Sequence, residues 1–277
     1  MKLLRSVLHN TQMLIGESIL LVFILIVALA PFIAPYPCWR QDYTVTLQPP
    51  SRAHYFGTDD FGRDTFSRVI YGARASLLSA FGAAGLAGII GIILGLLAGY
   101  FGGYLDRLIQ GLVDVTWSFP SLLLALVLVI IMEPGLTTTM IAIALGYWPQ
   151  YTQVLRSEVL VLREEEFVLA AHSIGASNKR IILIHILPNV IAPVIVLISL
   201  TMGYAIIIEA TLSFLGLGVQ PPMSSWGTLL SDARDFLSKA PWLSLFPGIA
   251  ITMAVLGFNL LGDGLRDLLD PRLRRRR

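Results

Sequence analysis

Residues 75–105 read ASLLSAFGAAGLAGIIGIILGLLAGYFGGYL, without a charged side chain between Arg74 and Asp106. This run exceeds the roughly 20 apolar residues that an α-helix needs to cross a hydrocarbon core about 30 Å thick. Its hydrophobicity is continuous rather than alternating, which is typical of a spanning helix and not of a barrel strand. Glycines recur every three or four residues from Gly82 to Gly99, and this spacing permits close contact with another helix.

Five further uncharged runs of spanning length lie before and after this one. The chain is 55% apolar and only 14% charged, whereas soluble domains average about one quarter charged residues. Backbone groups inside a bilayer are satisfied only in helices or closed barrels. We therefore predict an all-α membrane protein with a single domain, residues 1–277. Its six predicted spans are residues 14–35, 75–101, 112–132, 136–160, 187–210 and 242–262.

The amino-terminal span could instead be a secretory signal, because Lys2 and Arg5 precede it and Ala28-Leu29-Ala30 resembles a cleavage site. Pro31 would follow that cut directly, which disfavours cleavage, so we expect an uncleaved span. With the amino terminus inside, the cytoplasmic segments hold most of the 20 Lys and Arg residues. The positive-inside rule then predicts that both termini are cytoplasmic. We expect the basic tail to lie beside membrane lipid, and no nucleic-acid partner.

Sequence motifs for catalysis and metal binding are absent. Neither the phosphate-binding pattern GxxxxGK[ST] nor the nucleophile elbow GxSxG occurs in the chain. The four histidines are scattered, and Cys38 is the only cysteine, so we expect no metal site and no intrachain disulfide. These absences predict a non-catalytic protein that binds no cofactor itself.

The longest predicted cytoplasmic loop, residues 161–188, has the pattern of two short helices joined by a turn. Its acidic start at residues 164–166 complements the positive end of a helix dipole. Gly175 is a natural helix stop and Ser177 a natural cap for the next helix. Apolar side chains recur at helical spacing between them and predict one small apolar face that could dock into a groove of a partner. The residues of this face are Phe167, Ala170, Ala171 and Ile174.

This loop resembles the EAA loop in the permease subunits of ATP-binding-cassette importers. The resemblance rests on Ala170-Ala171, then Gly175 after three residues, then Leu187-Pro188 twelve residues later. It implies that the short helix before Gly175 is a coupling helix seated in a groove of the ATPase subunit. The residues it implies for the ATPase contact are Ala170, Ala171, Ser173 and Gly175, with Arg163 and Glu166 at the edge.

Three other segments resemble the dipeptide, oligopeptide and nickel permeases among these importers. They are GTDDFGRD at residues 57–64, LSFLGLG at residues 212–218 and FNLLGDGLRD at residues 258–267. Together they indicate the C-type permease of a heterodimeric pair, in the bacterial inner membrane, with the type I importer permease fold.

The resemblance also implies the partners and the transported solute. The implied partners are a second homologous permease subunit, two ATP-binding-cassette ATPase domains that use ATP and Mg, and an extracytoplasmic solute-binding protein. Peptides are the first choice of solute, while nickel or its chelates, glutathione and opine-like compounds stay open. The rival functions are a secondary transporter working alone and a membrane anchor for an enzyme complex. Solute uptake that requires ATP and every partner subunit would exclude both rivals.

Charged residues outside the loop supply two further candidate sites. Glu209 lies within an apolar span, and because carboxylates in a membrane are costly we consider it a candidate pore or gate residue. A structural hydrogen bond is the alternative explanation for it. Four charged residues of one extracytoplasmic segment are candidate contacts for the binding protein, although a loop held by its own salt bridges explains them equally well. They are Asp59, Asp60, Arg63 and Asp64.

Overall fold

The computed structural model describes residues 10–269 and contains helices but no strand in that range. An isolated bridge between Thr58 and Asp64 is the β-type pairing recorded there. The all-α prediction is therefore confirmed. The helices, numbered in chain order, are α1 Thr11–Ile33, α2 Thr65–Phe101, α3 Gly103–Trp117, α4 Ser121–Met132, α5 Leu136–Leu162, α6 Glu166–Ser173, α7 Asn178–Phe214, α8 Trp226–Ala233 and α9 Trp242–Leu269.

Length and composition support four or five of the six predicted spans. Helices α1, α2, α7 and α9 are each long and apolar enough to cross a bilayer. The predicted span at residues 112–132 is not one straight helix, because α3 and α4 meet there at 89° and count as one broken span at most. Pro120 causes this break, since it lacks an N–H and disfavours helical backbone at the residue before it. Helix α5 has 27 residues but is too polar to meet the same criterion.

Helix α2 is the central helix of the bundle and begins ten residues before the predicted span. Its 37 residues extend about 55 Å at 1.5 Å per residue. Asp64 caps its first turn by accepting hydrogen bonds from Ser67, at 2.8 Å from the backbone N and 2.7 Å from Oγ. Trp226 of α8 binds near this start, and His172 of α6 lies near the other end. We call these opposite ends of the bundle the α8 end and the α6 end.

Glycines of α2 allow α5 to pack against it at very short distance. A Cβ atom added at Gly91 would lie 2.2 Å from Cβ of Tyr151, and one added at Gly95 would lie 2.8 Å from Cβ of Leu155. A Cβ atom added at Gly99 would likewise lie 2.7 Å from Cβ of Val159. The predicted close contact along this glycine face is thus confirmed. Van der Waals packing of this kind is a main source of stability between helices in a bilayer.

Helix α1 packs along α9, again through small residues. A Cβ atom at Gly16 would lie 2.7 Å from the backbone N of Leu261, and one at Gly264 would lie 2.5 Å from Cβ of Met13. Gly257 makes a similar contact with Ile19 and Leu20, seven residues before Gly264. The pairing holds the first helix against the last one.

Candidate functional site

Helix α6 lies on the bundle with one side buried and the other exposed. Val168 is fully buried and Ala171 is only 5% exposed. Both pack in a cluster with Leu155 and Val159 of α5 and with Ile181 of α7. The side chain of Ala171, a predicted ATPase contact, thus faces the bundle and supports α6 from the buried side.

The opposite side of α6 presents apolar side chains with no cover from the bundle. Ile174 is 85% exposed, and Phe167 is exposed beside it. Ala170, Ser173 and Gly175 are exposed as well. The single apolar face expected from the spacing is thus divided into a buried half and an exposed half. Exposed apolar groups clustered at one end of a protein are typical of an interaction site.

The turn after α6 has the geometry that the sequence predicts. Gly175 has φ +80°, a left-handed conformation that glycine adopts without steric cost. Its N–H donates to the oxygen of His172 at 3.0 Å, and the N–H of Ala176 donates to the oxygen of Ala171 at 3.1 Å. This is the Schellman pattern of a helix end. Ser177 then caps α7 by accepting from the backbone N of Arg180 at 3.4 Å.

Replacing Gly175 with valine is expected to destabilise this turn by about 1–2 kcal/mol, the cost of left-handed backbone for a residue with a Cβ. Gly175→Asn should cost less, because asparagine adopts this conformation more readily. No atom lies within 4 Å of a Cβ at this position, so strain rather than collision sets the difference. Limited proteolysis of the loop in purified protein measures it. Equal cleavage rates for the two variants would contradict the backbone explanation.

Polar contacts tie α6 and its flanking segments to the end of α2. The hydroxyl of Tyr100 donates to Oδ1 of Asn178 at 2.9 Å and lies 3.1 Å from Nε2 of His172. Arg163 donates from Nη1 to the backbone oxygen of Gly99 at 3.1 Å and from Nε to Glu164 at 3.0 Å. Arg163 therefore braces the bundle, whereas Glu166 is exposed at the start of α6. The role of Tyr100 is not indicated by the sequence, where it lies near the end of a long uncharged run.

A second ion pair, near the α6 end, joins α3 to α5. Arg156 donates from Nε and Nη2 to the two carboxylate oxygens of Asp106, at 2.6 and 2.7 Å. Such a bidentate pair fixes direction as well as distance. Gln153 adds a bond of 2.6 Å to Gln110 one turn away. No local pattern in the sequence indicates this pair, because its members lie 50 residues apart.

At the α8 end, two of the four predicted binding-protein contacts, Asp59 and Arg63, belong to an ion-pair network with Arg68 and Asp232. Asp59 accepts from Arg63 at 2.6 Å and from Arg68 at 2.7 Å, and Arg68 also reaches Asp232 of α8 at 3.0 Å. Asp64 caps α2 and pairs with Nδ1 of His54 at 2.9 Å. The buried carboxylates Asp59 and Asp64 therefore hold the loop together, which favours the alternative explanation of a loop held by its own salt bridges.

Asp60 and Arg63 are the two predicted contacts at this end that stay partly exposed. Burial and the negative charge of the adjacent Asp59 raise the pKa of the Asp60 carboxyl. A cavity of about 520 Å³ opens beside them between the loop after α1 and the segment before α8. Its lining includes Cys38 and Asp232, and burial raises the pKa of the Cys38 thiol.

Glu209 is enclosed rather than lining a path. Its side chain is 0% exposed and accepts hydrogen bonds from Oγ of Ser76 at 3.0 Å and from Oγ of Ser213 at 2.7 Å. Ser76 accepts in turn from the backbone N of Trp226 at 3.1 Å. Glu209 thus joins α7 to α2 and α8, which favours the structural alternative over the pore or gate role. Within residues 10–269, no group of three His, Cys, Asp or Glu residues is placed to hold a metal ion.

Family models and relatives match almost the whole chain. Residues 91–275 match the model described as "Binding-protein-dependent transport system inner membrane component". Residues 3–50 match the "N-terminal TM domain of oligopeptide transport permease C". The dipeptide transport system permease protein DppC of Alkalihalophilus pseudofirmus is 49% identical over 96% of this chain and 87% of its own. The oligopeptide transport system permease protein OppC of Bacillus subtilis is 40% identical, with the same coverage of 96% and 87%.

Two further comparisons concern another transport system and the fold. The glutathione transport system permease protein GsiD of Pectobacterium atrosepticum is 42% identical over 92% of this chain and 85% of its own. A chain of the inward-facing MetNI methionine ABC transporter superposes with a TM-score of 0.61 at 16% identity, covering 74% of this chain and 98% of that one. This confirms the predicted fold. The chain belongs to the family of binding-protein-dependent transport system inner membrane components, the permease subunits of ATP-binding-cassette importers.

Proposed function

We propose that this chain forms half of the translocation path of an ATP-driven importer for di- or oligopeptides. The names of the dipeptide and oligopeptide relatives support the solute class. A second permease of the same family would supply the other half, and a solute-binding protein would deliver the peptide at the α8 end. The chain itself performs no catalysis and holds no cofactor, because ATP and Mg act on the ATPase subunits.

The observation that carries this proposal is the exposed half of α6. Phe167 and Ile174 project from a short helix whose other side is buried in the bundle. A rigid apolar ridge of this kind suits a groove in a partner protein. We assign that groove to the ATPase subunit, with Ala170, Ser173 and Gly175 as further contacts and Glu166 at the edge. Arg163 stays behind this surface, bonded to the end of α2.

The orientation of the chain in the membrane follows from the same assignment, because ATPase subunits lie in the cytoplasm. The α6 end is then cytoplasmic, and the positive-inside rule agrees, since Arg107, Lys179 and Arg180 lie there. Helix α9 ends on the same side, and both termini would be cytoplasmic. The basic segments before and after the described residues, including Arg274–Arg277, would face anionic lipid.

The buried half of α6 provides the route from the ATPase to the pore. When the ATPase domains close, they push on α6, and Val168 and Ala171 press on α5 and α7. Packed interfaces tend to switch between two arrangements rather than deform continuously. A rocking of α5 and α7 against the second permease would open the α8 end while the α6 end closes. No chemical change in the peptide is required.

Replacing Ile174 with aspartate is expected to weaken retention of the ATPase about five- to twentyfold, because a charge would enter an apolar groove. Leu237→Asp is the matched control, since Leu237 is 53% exposed at the opposite end of the bundle. Co-purification of the tagged permease with its ATPase subunits, quantified by mass spectrometry, measures the effect. If Ile174→Asp retains the ATPase as well as Leu237→Asp does, the exposed half of α6 is not the docking site.

Reconstitution tests the whole proposal. Proteoliposomes containing both permeases and both ATPase domains should take up a labelled dipeptide only with ATP and the binding protein. Competition by glutathione, nickel salts and an opine then measures the preference for peptides. Uptake by this chain alone without ATP would show a secondary transporter. Assembly with an enzyme and no uptake would show a membrane anchor.

A further inference from the structure

The hydroxyl of Tyr100 connects three elements of the α6 end. Tyr100 lies in the last turn of α2, His172 in the last turn of α6, and Asn178 opens α7. The hydroxyl donates to Oδ1 of Asn178 at 2.9 Å and lies 3.1 Å from Nε2 of His172. The rings of Tyr100 and His172 are nearly parallel, with an interplanar angle of 6° and centroids 6.3 Å apart.

In the hydrogen bonds among His172, Tyr100 and Asn178, each group has a defined role as donor or acceptor. A phenol has one proton to donate, and here the acceptor is the Asn178 carbonyl oxygen. The phenol oxygen can then accept from His172, which requires the histidine proton on Nε2. A continuous chain of donors therefore runs from α6 through α2 to α7. Hydrogen bonds in such a chain polarise and strengthen one another.

Tyr100 bridges the glycine turn between α6 and α7. His172 and Asn178 lie on either side of Gly175, whose left-handed backbone has no atom near a Cβ position. If α6 moved alone, this turn could absorb the motion by a change in its backbone dihedral angles. The apolar contacts of Val168 and Ala171 resist separation but fix no direction, because hydrophobic attraction is non-directional. The bonds of Tyr100 constrain the angle of α6 relative to α2.

Helix α2 extends this constraint to the α8 end. Near its other end, Ser76 binds Trp226 of α8, and Arg68 binds Asp232 of the same helix. A rotation or shift imposed at Tyr100 therefore reaches the elements around the 520 Å³ cavity. The chain of contacts is continuous from the exposed half of α6 to α8.

We propose that Tyr100 is a positioning residue for energy coupling. Its hydroxyl locks α6 and the start of α7 to α2, so that displacement of α6 moves α2 instead of bending the turn at Gly175. This inference rests on the proposed function in one respect, namely that the ATPase acts on α6. Tyr100 contacts neither peptide nor nucleotide in this role.

The test is Tyr100→Phe in the complete transporter, reconstituted with its ATPase and binding protein. The ring and its packing remain, and only the bridging hydroxyl is lost. We expect assembly and ATP hydrolysis to persist, while the number of peptides imported per ATP hydrolysed falls three- to tenfold. Tyr104→Phe is the matched control. Tyr104 lies four residues further along the chain, in α3, and its side chain is 76% exposed.

Each outcome of this test is decisive. A ratio of transport to hydrolysis equal to that of Tyr104→Phe would overturn the inference, and so would parallel losses of both activities. If Tyr100→Phe does not assemble, Asn178→Ser removes the acceptor instead and should lower the same ratio. In the double variant the ratio should fall no further than in Tyr100→Phe alone, since that change already breaks the bonds to both Asn178 and His172. Failure of the proposed function is distinguishable, because the Tyr104→Phe transporter would then show no ATP-dependent uptake.

Discussion

Gly91→Val is expected to lower the yield of folded protein severalfold or more. A Cβ atom at this position would lie 2.2 Å from Cβ of Tyr151, 2.9 Å from the backbone oxygen of Trp148 and 3.0 Å from the backbone N of Thr152. Two of these neighbours are backbone atoms, so α5 itself must move away from α2. Overpacking of a close interface costs about 1–3 kcal/mol or more, and native proteins have only about 5–15 kcal/mol of stability in total.

The matched control is the same change in the same helix, Gly85→Val. No atom lies within 4 Å of a Cβ at Gly85, so the added side chain meets open space. We expect this variant to accumulate normally and to melt within a few degrees of the original protein. Size-exclusion chromatography of fluorescently tagged variants in detergent gives the yield, and a thermal scan gives the midpoint. Similar yields for Gly91→Val and Gly85→Val would show that the glycine face does not determine packing.

The comparison of Gly91 with Gly85 shows what the sequence could and could not predict. The run of residues 75–105 predicts a spanning helix with a small-residue face, because these features are local and periodic. The same spacing includes Gly85, where an added Cβ atom would meet no other atom within 4 Å. Which glycines meet a partner depends on where α5 lies, and no local pattern encodes that position.

The loop at the α6 end was predictable for a similar reason. Gly175 and Ser177 mark a helix end and a helix start through backbone chemistry that acts within a few residues. Burial of Ala171 was not predictable, because it depends on how α6 lies on α5 and α7. The contacts of Tyr100 were not predictable either, because they depend on the end of α2 lying beside α6.

The bend between α3 and α4 was missed although Pro120 is visible in the sequence. Apolar residues continue on both sides of it, and proline is tolerated within spanning helices when neighbouring groups satisfy the freed backbone. Hydropathy therefore predicts one straight span here. The bent pair instead carries Asp106 and Gln110 to side chains of α5, and those partners lie far away in sequence.

Replacement of Glu209 by leucine is expected to destabilise the protein by about 2–5 kcal/mol. The hydroxyls of Ser76 and Ser213 would lose their acceptor inside a buried site, and each unpaired buried group costs about 1–3 kcal/mol. The contact between α2 and α8 would loosen with them, because the Ser76 hydroxyl of α2 also accepts from the backbone N–H of Trp226. The folded yield and the thermal midpoint of the purified chain measure the loss.

Glu209→Gln separates a structural role from a pore role. Glutamine keeps the length of the side chain and one carbonyl acceptor, and its NH₂ group can donate to a serine oxygen, so we expect stability and peptide uptake close to the original. A carboxylate that acts on the pore through its charge would make glutamine as harmful to uptake as leucine, at unchanged yield. Because glutamine removes the charge and retains the hydrogen bonding, uptake by that variant decides whether Glu209 joins helices or acts on the solute.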